Sequence, residues 1–214
     1  GNIAITSKGD ITTTGQQSDG IVAFQDSFSG SAVVTSTGDI KASGQNSSGI
    51  VVESGYANTV NILGGTVSGG TSFQGGTAGG VVFDGGFKNT LNNHGTITGG
   101  GSGWAVLGSY GGETVNNFGT ITGNVDLINL GRGSVLPAKA ASPNSGLAPS
   151  SDDFNNAAGA TFNSGDTVKL GYGTLTNGGT LSPGGDRKVQ TTSLFGNLVQ
   201  SAKGLFSVDV DHTA

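Results

Sequence analysis

Apolar and polar residues alternate with a period of two over short bursts of three to six residues. Each burst is then cut off by Gly, Ser, Asn or Asp, as in "IAITSKGDITTTG" at 3–15 and "NTLNNHGTITGG" at 89–100. That alternation predicts short strands with one buried face, and the punctuation predicts tight turns between them. No stretch carries the 3.6-residue period of an amphipathic helix, so the chain reads as almost entirely strand and turn.

The bursts recur. A Gly-x-[Ile/Val/Leu] phrase begins at Gly9, Gly38, Gly65, Gly95, Gly119 and Gly179. A second phrase keeps phase with it, "SDGIVAF" at 18–24, "SSGIVVE" at 47–53, "AGGVVFD" at 78–84 and "GSGWAVL" at 102–108, and a third follows as "SAVVTS", "NTVNIL", "NTLNNH" and "ETVNNF". Each unit of 24 to 30 residues thus holds three short strands. Three such strands cannot bury an apolar face alone, whereas stacked units can, so the repeat predicts an all-β fold, a parallel β-helix (β-solenoid) with three short strands per coil. Six to eight coils at about 4.8 Å each give a rod roughly 30 to 40 Å long.

Within that frame Val115 and Ile121 point inward, and Asn116, Thr120 and Thr122 outward. Counting from Thr90, Thr114 and Thr174, the inward fourth position is Asn93, Asn117 and Asn177, which are expected to stack as a structural asparagine ladder that satisfies turn backbone. Asn156 extends the column, and Ile62 holds the equivalent place one unit earlier. Trp104 stands where "SGIVV" has Ile or Val and is expected to fill a wider core.

Composition fits this picture: 42 glycines and 11% charged residues depart from globular averages near 7% and 25%, while 33% hydrophobic residues suffice for a core. Regularity fails at 131–151, "GRGSVLPAKAASPNSGLAPSS", which holds three of the four prolines and reads as a loop excursion at a turn. One continuous domain is expected, with coils over 1–130, the excursion at 131–151 and coils again over 152–214. The chain lacks an initiating Met and enters alternation at once, so it is expected to be a piece of a longer protein. Net charge is −5, with charges scattered singly, which argues against nucleic acid as a partner. Without cysteine there is no disulfide framework and no thiolate metal site.

The run "GTLTNGGTLSPGG" at 173–185, followed by "TTSLFGNLVQSAKGLFSVDVDHTA" at 191–214, resembles the C-terminal part of autotransporter (type V secretion) passenger domains. The "GTITG" and "SSGIVV" units over 9–124 are similar to the degenerate repeats of the same passengers. The resemblance implies a right-handed β-helix, displayed on a bacterial surface or secreted, and an outer-membrane translocator barrel outside this segment. It further implies adhesion or self-association, with passengers on other cells, a host glycan or a matrix protein as partners. An inert stalk displaying another domain and, third, a polysaccharide-cleaving β-helix are the alternatives.

Signals for chemistry are sparse, so no catalytic, cofactor-binding or metal residue is assigned and no cofactor is expected. Asp152–Asp153 is the only adjacent acidic pair and is expected to be a solvated loop edge. His94 aligns with Phe118 beside a turn and is read as packing; His212 sits near the end of the chain. Two remote histidines and no Gly-x-Ser-x-Gly elbow leave no hydrolase triad. "VDVD" at 208–211 is expected to put Asp209 and Asp211 on one exposed strand face. Thr96/Thr98 and Thr120/Thr122 form Thr-x-Thr rows like those of ice-ordering solenoids, but Asp10/Thr12, Asp39/Lys41 and Thr66/Ser68 occupy the neighbouring units, so the array is expected to be two coils tall. Tyr56, Tyr110, Tyr172, Phe73 and Phe87 lie beside turn glycines, where they serve as lids or as a contact ridge.

Overall fold

The computed structural model describes residues 1–25, 30–53, 56–73, 77–108, 112–128 and 152–211. The 131–151 segment, Tyr110 and His212 lie outside the described residues. The chain winds as a three-sided parallel β-helix, each turn adding one strand to each of three sheets. The first tier is β1 (Ile3–Ser7), β2 (Ile11–Thr13) and β3 (Ile21–Phe24), and the second β4 (Ala32–Ser36), β5 (Ile40–Ala42) and β6 (Ile50–Glu53). The third is β7 (Ala57–Ile62), β8 (Thr66–Ser68) and β9 (Val81–Phe83), and the fourth β10 (Lys88–Asn93), β11 (Thr96–Thr98) and β12 (Trp104–Leu107).

From the fifth tier strands run around corners. β13 (Thr114–Asn117) is followed by β14 (Thr120–Asp126), which serves two sheets; β15 (Asp153–Asn156) opens the sixth tier, and β16 (Thr161–Asn177) contributes to all three sheets. β17 (Thr180–Pro183), β18 (Ser193–Gln200) and β19 (Leu205–Phe206) complete the seventh tier and begin the eighth. Every pairing among the described strands is parallel; the first-sheet strands stack residue on residue from tier to tier, while the third-sheet register shifts at Trp104–Val106 and Gly123–Val125. Eight tiers among the described residues, about 4.8 Å apart, span roughly 34 Å.

Period-two alternation places one column of apolar side chains per sheet inside the tube. Val34, Val60, Leu91, Val115, Phe154 and Leu175 line the first sheet, and Ile40, Val67, Ile97, Ile121, Phe162 and Leu181 the second. Ile50, Val81, Val106, Val125 and Val168 line the third, all of them buried. Phe154 and Phe162 face each other across the tube with ring centroids 4.4 Å apart. The recurring glycine is explained at the turn between the first and second sheets. There Gly38, Gly65 and Gly95 stack so closely that a Cβ on any of them would lie 2.5–2.6 Å from the carbonyl oxygen of the glycine one tier below.

Two expectations change here. Val106, not Trp104, pairs with Val81, because the Gly-rich 3-10 turn Gly100–Ser102 shifts the strand by two residues. Trp104 therefore leaves the main core and packs, partly buried, on the outward-facing Val51, Val82 and Leu107 of the third sheet. In the "VDVD" segment, residues 207–211 form no strand; Asp209 instead accepts a hydrogen bond from the Lys188 backbone N–H at 3.1 Å.

Candidate binding face

The corner between the first and second sheets is the most regular place in the molecule, and it is held from inside. Asn93, Asn117, Asn156 and Asn177 occupy successive tiers of one fully buried column. Each side-chain amide donates to the carbonyl oxygen of the next at 2.8–2.9 Å, and Asn177 donates on to Gln200 Oε1 at 2.9 Å. The same nitrogens reach the backbone carbonyls of Thr120, Thr161, Thr180 and Leu205 at 2.9–3.1 Å, across the turn. Asn93 and Asn117 also accept from the backbone N–H of Gly95 and Gly119, so turn groups that a buried bend would orphan are paired. Ile62 and Ser36 continue the column toward the N-terminus without amides.

Outside that corner the turns carry Leu63, His94 and Phe118 on consecutive tiers. Leu63 and Phe118 are about half exposed, and the His94 and Phe118 rings stack at 4.6 Å and 12°. Register makes this stack automatic, because identical turns place the two side chains one tier apart. On the first sheet the ridge is bordered by an outward amide ladder in which Asn92 donates to Asn61, Asn116 to Asn92 and Asn155 to Asn116 at 2.9–3.0 Å. A side-chain amide has two protons and two acceptor sites, so each rung keeps one of each for a partner.

On the second sheet the border is a threonine column, Thr66, Thr96, Thr120, Thr161 and Thr180. The full Thr-x-Thr pair occurs in two tiers, as its spacing predicts, but this column runs five, because "ATFNS" and "GTLSP" enter the register with different neighbours. Beside it stand Ser68, Thr98, Thr122, Asn163 and Ser182, with Asn163 donating to Thr122 Oγ1 at 3.1 Å.

A second polar column is buried at the opposite end of the same inner face. Asn58, Asn89, Glu113 and Asp152 occupy successive tiers. Asn58 donates to Asn89 Oδ1 at 2.8 Å and Asn89 to Glu113 Oε1 at 3.2 Å, while Asp152 Oδ1 accepts the backbone N–H groups of Gly112 and Glu113 at 2.5 and 2.9 Å. Asp152 is thus no solvated loop edge: it is fully buried, with only Asp153 at the outer surface. Burial raises the Asp152 carboxyl pKa above the ordinary value, the hydrogen bonds from Glu113 and Gly112 oppose the rise, and the Asp153 charge adds to it. Sequence reading missed this column because its members differ in type. The available signal was position: each stands two residues before the central apolar residue of its strand, in "NTV", "NTL", "ETV" and "DDF".

The other candidates are dispersed. Asp126 and Lys169 pair at 2.8 Å on the third sheet, with the Lys169 ammonium 6.0 Å from the Trp104 ring centroid. Glu53, Asp84 and Asp19 sit near one another toward the N-terminal end, where burial first, and then the two neighbouring carboxylates, raise the Glu53 pKa. Among the described residues no group of three His, Cys, Asp or Glu side chains is arranged to hold a metal ion. Tyr56 and Phe87 adjoin on the corner between the third and first sheets; Tyr172 is exposed on that corner farther along, and Phe73 on another. No family model, curated protein or solved structure matches the chain.

Proposed function

We propose that this β-helix is a non-catalytic adhesive rod of the kind displayed as an autotransporter passenger on a bacterial surface, and that the corner between its first and second sheets is the contact face. The observation that carries the reading is the coincidence, on consecutive tiers, of an exposed Leu63–His94–Phe118 ridge with continuous amide and hydroxyl columns on both sides. Each rung makes a weak contact, and rungs fixed in one register act together, so affinity comes from repetition without a deep pocket. The buried amide column beneath the corner fixes the turns before any partner arrives, which lowers the ordering cost of binding.

The test is display of the chain on a bacterium through a borrowed translocator, followed by sedimentation and by adhesion to glycan- and matrix-coated surfaces. Clumping or surface attachment that Phe118→Ala reduces is the expected outcome. Attachment and clumping no greater than in cells lacking the chain would leave the rod as a spacer and sink the adhesive reading.

A further inference from the structure

We infer that the ridge and its flanks form a site for a neutral, extended polysaccharide strand lying parallel to the rod axis. This rests on the adhesive reading of the same face and goes further by naming the partner's chemistry. Three features of the corner converge on it.

The first is the ridge. His94 and Phe118 present stacked, exposed rings one tier apart, with Leu63 on the tier before them. Rings on a corner offer flat apolar area against which the C–H face of a sugar packs, and aromatic side chains give such area at low entropic cost.

The second is the pairing of hydrogen-bonding groups. A pyranose whose C–H face rests on a ring projects its hydroxyls sideways, and each hydroxyl both donates and accepts. The flanks match that dual character. Asn61, Asn92, Asn116 and Asn155 each retain an amide proton and an acceptor lone pair, while the hydroxyls of Thr66, Thr96, Thr120 and Thr161 repeat on the other side. A partner with only acceptors or only donors would leave half of these groups unmatched.

The third is charge. In tiers three to six the four outward columns next to the corner contain one ionised residue, Asp153, at the border. In the first two tiers the second-sheet columns instead carry Asp10, Asp39 and Lys41. The ridge therefore lies where the flanks are neutral. An anionic glycan would find no Lys or Arg in these flanking columns, and a strongly basic one no row of carboxylates.

The experiment is binding of the purified 214-residue chain to an immobilised panel of unbranched neutral glucan, mannan and galactan. Polygalacturonate and heparin serve as charged controls, each at low and high salt. The expected result is salt-insensitive binding to at least one neutral polymer, strengthening with polymer length over several sugars. Phe118→Ala and His94→Ala should each weaken it about tenfold or more, with unchanged thermal unfolding. Tyr172→Ala, on a different corner, should leave it unchanged. Binding to the charged polymers alone, falling with salt, overturns the inference. So does retention of neutral-polymer binding in both ridge variants. If no neutral polymer binds while displayed cells still clump through Phe118, the partner is a second copy of the chain: the inference then fails and the adhesive reading survives. Absence of both binding and clumping removes the two together.

Discussion

Asn117 donates to Asn156 Oδ1 and to the Thr161 carbonyl, and accepts from Asn93 and from the Gly119 N–H, all within the core. Replacing it by Ala strands several buried partners at once. Thermal or denaturant unfolding of Asn117→Ala should show a loss of about 1–3 kcal/mol. Asn116→Ala, on the outer ladder one residue away, exposes its partners to water and should cost no more than about 0.5 kcal/mol. Equal effects would mean that burial is not what gives the inner column its strength. Asp152 supplies a pH test in the same terms. Burial raises its folded-state pKa above the ordinary carboxylate value, so folding favours the protonated form. Its stabilising contribution is complete below the unfolded value near pH 4 and is lost as pH rises through the folded-state value. Melting temperature should therefore decline from mildly acidic toward neutral pH. Asp152→Asn keeps an oxygen for the Gly112 and Glu113 N–H groups and adds an amide toward Glu113, so it should flatten that decline and raise stability at neutral pH. A variant less stable than the parent at neutral pH would show that the carboxylate itself is required there.

At the level of elements, the strands, their inward columns and the Asn93–Asn117–Asn156–Asn177 column were legible because period-two alternation and repeated turn phrases specify them locally. What was not legible depended on register between tiers. Trp104 looks like a core residue when "GSGWAVL" is aligned with "SSGIVVE", and only the 3-10 turn before it moves Val106 into the core position instead. Asp152 looks solvated beside a Pro-rich segment, yet pairing of Asp153 with Thr114 carries it inward. The amide ladder of the contact face was half visible, since Asn116 reads as outward, but its continuity through Asn61 and Asn155 follows from the stacking. Glycine at the repeated turn gives this scale its test. A Cβ on Gly95 would lie 2.5 Å from the Gly65 carbonyl oxygen, so Gly95→Ala forces two strand-to-strand turns apart and should cost about 1–3 kcal/mol in unfolding measurements. A neutral effect would mean that the turn spacing relaxes freely. In the first sheet the step across the 131–151 segment is 39 residues, against 21 to 31 between the other described tiers. Deleting 133–149 leaves a step of 22, within the range that the coil accommodates, and the unfolding transition should survive.

For the whole molecule, the decisive property is that each tier touches only its neighbours, so stability is a sum along a line and not over a single compact core. Middle tiers are paired on both sides: β10 and β13 lie between other first-sheet strands, and their inward Leu91 and Val115 are fully buried. The last tier has one such neighbour. Leu198 and Phe206, which extend the columns of Leu175 and Leu181, remain about half exposed. At the other end Ile3, Ile5 and Ile11 are only partly buried. The amide column spans the tiers from Asn93 to Asn177, so the C-terminal half of the ridge lies over the best-supported turns. Amide hydrogen exchange followed by mass spectrometry should then show a gradient, slowest over 88–126 and 153–177 and faster toward β1–β3 and β18–β19. Asn117→Ala should speed exchange in β13 and in the tiers on either side of it, leaving β1–β3 as they were. Uniform protection along the rod, or a change at both ends from that one substitution, would mean that the tiers unfold as a single cooperative unit. Contact strength along the face would then be set by the stability of the rod as a whole, with no dependence on which tiers carry the aromatic ridge.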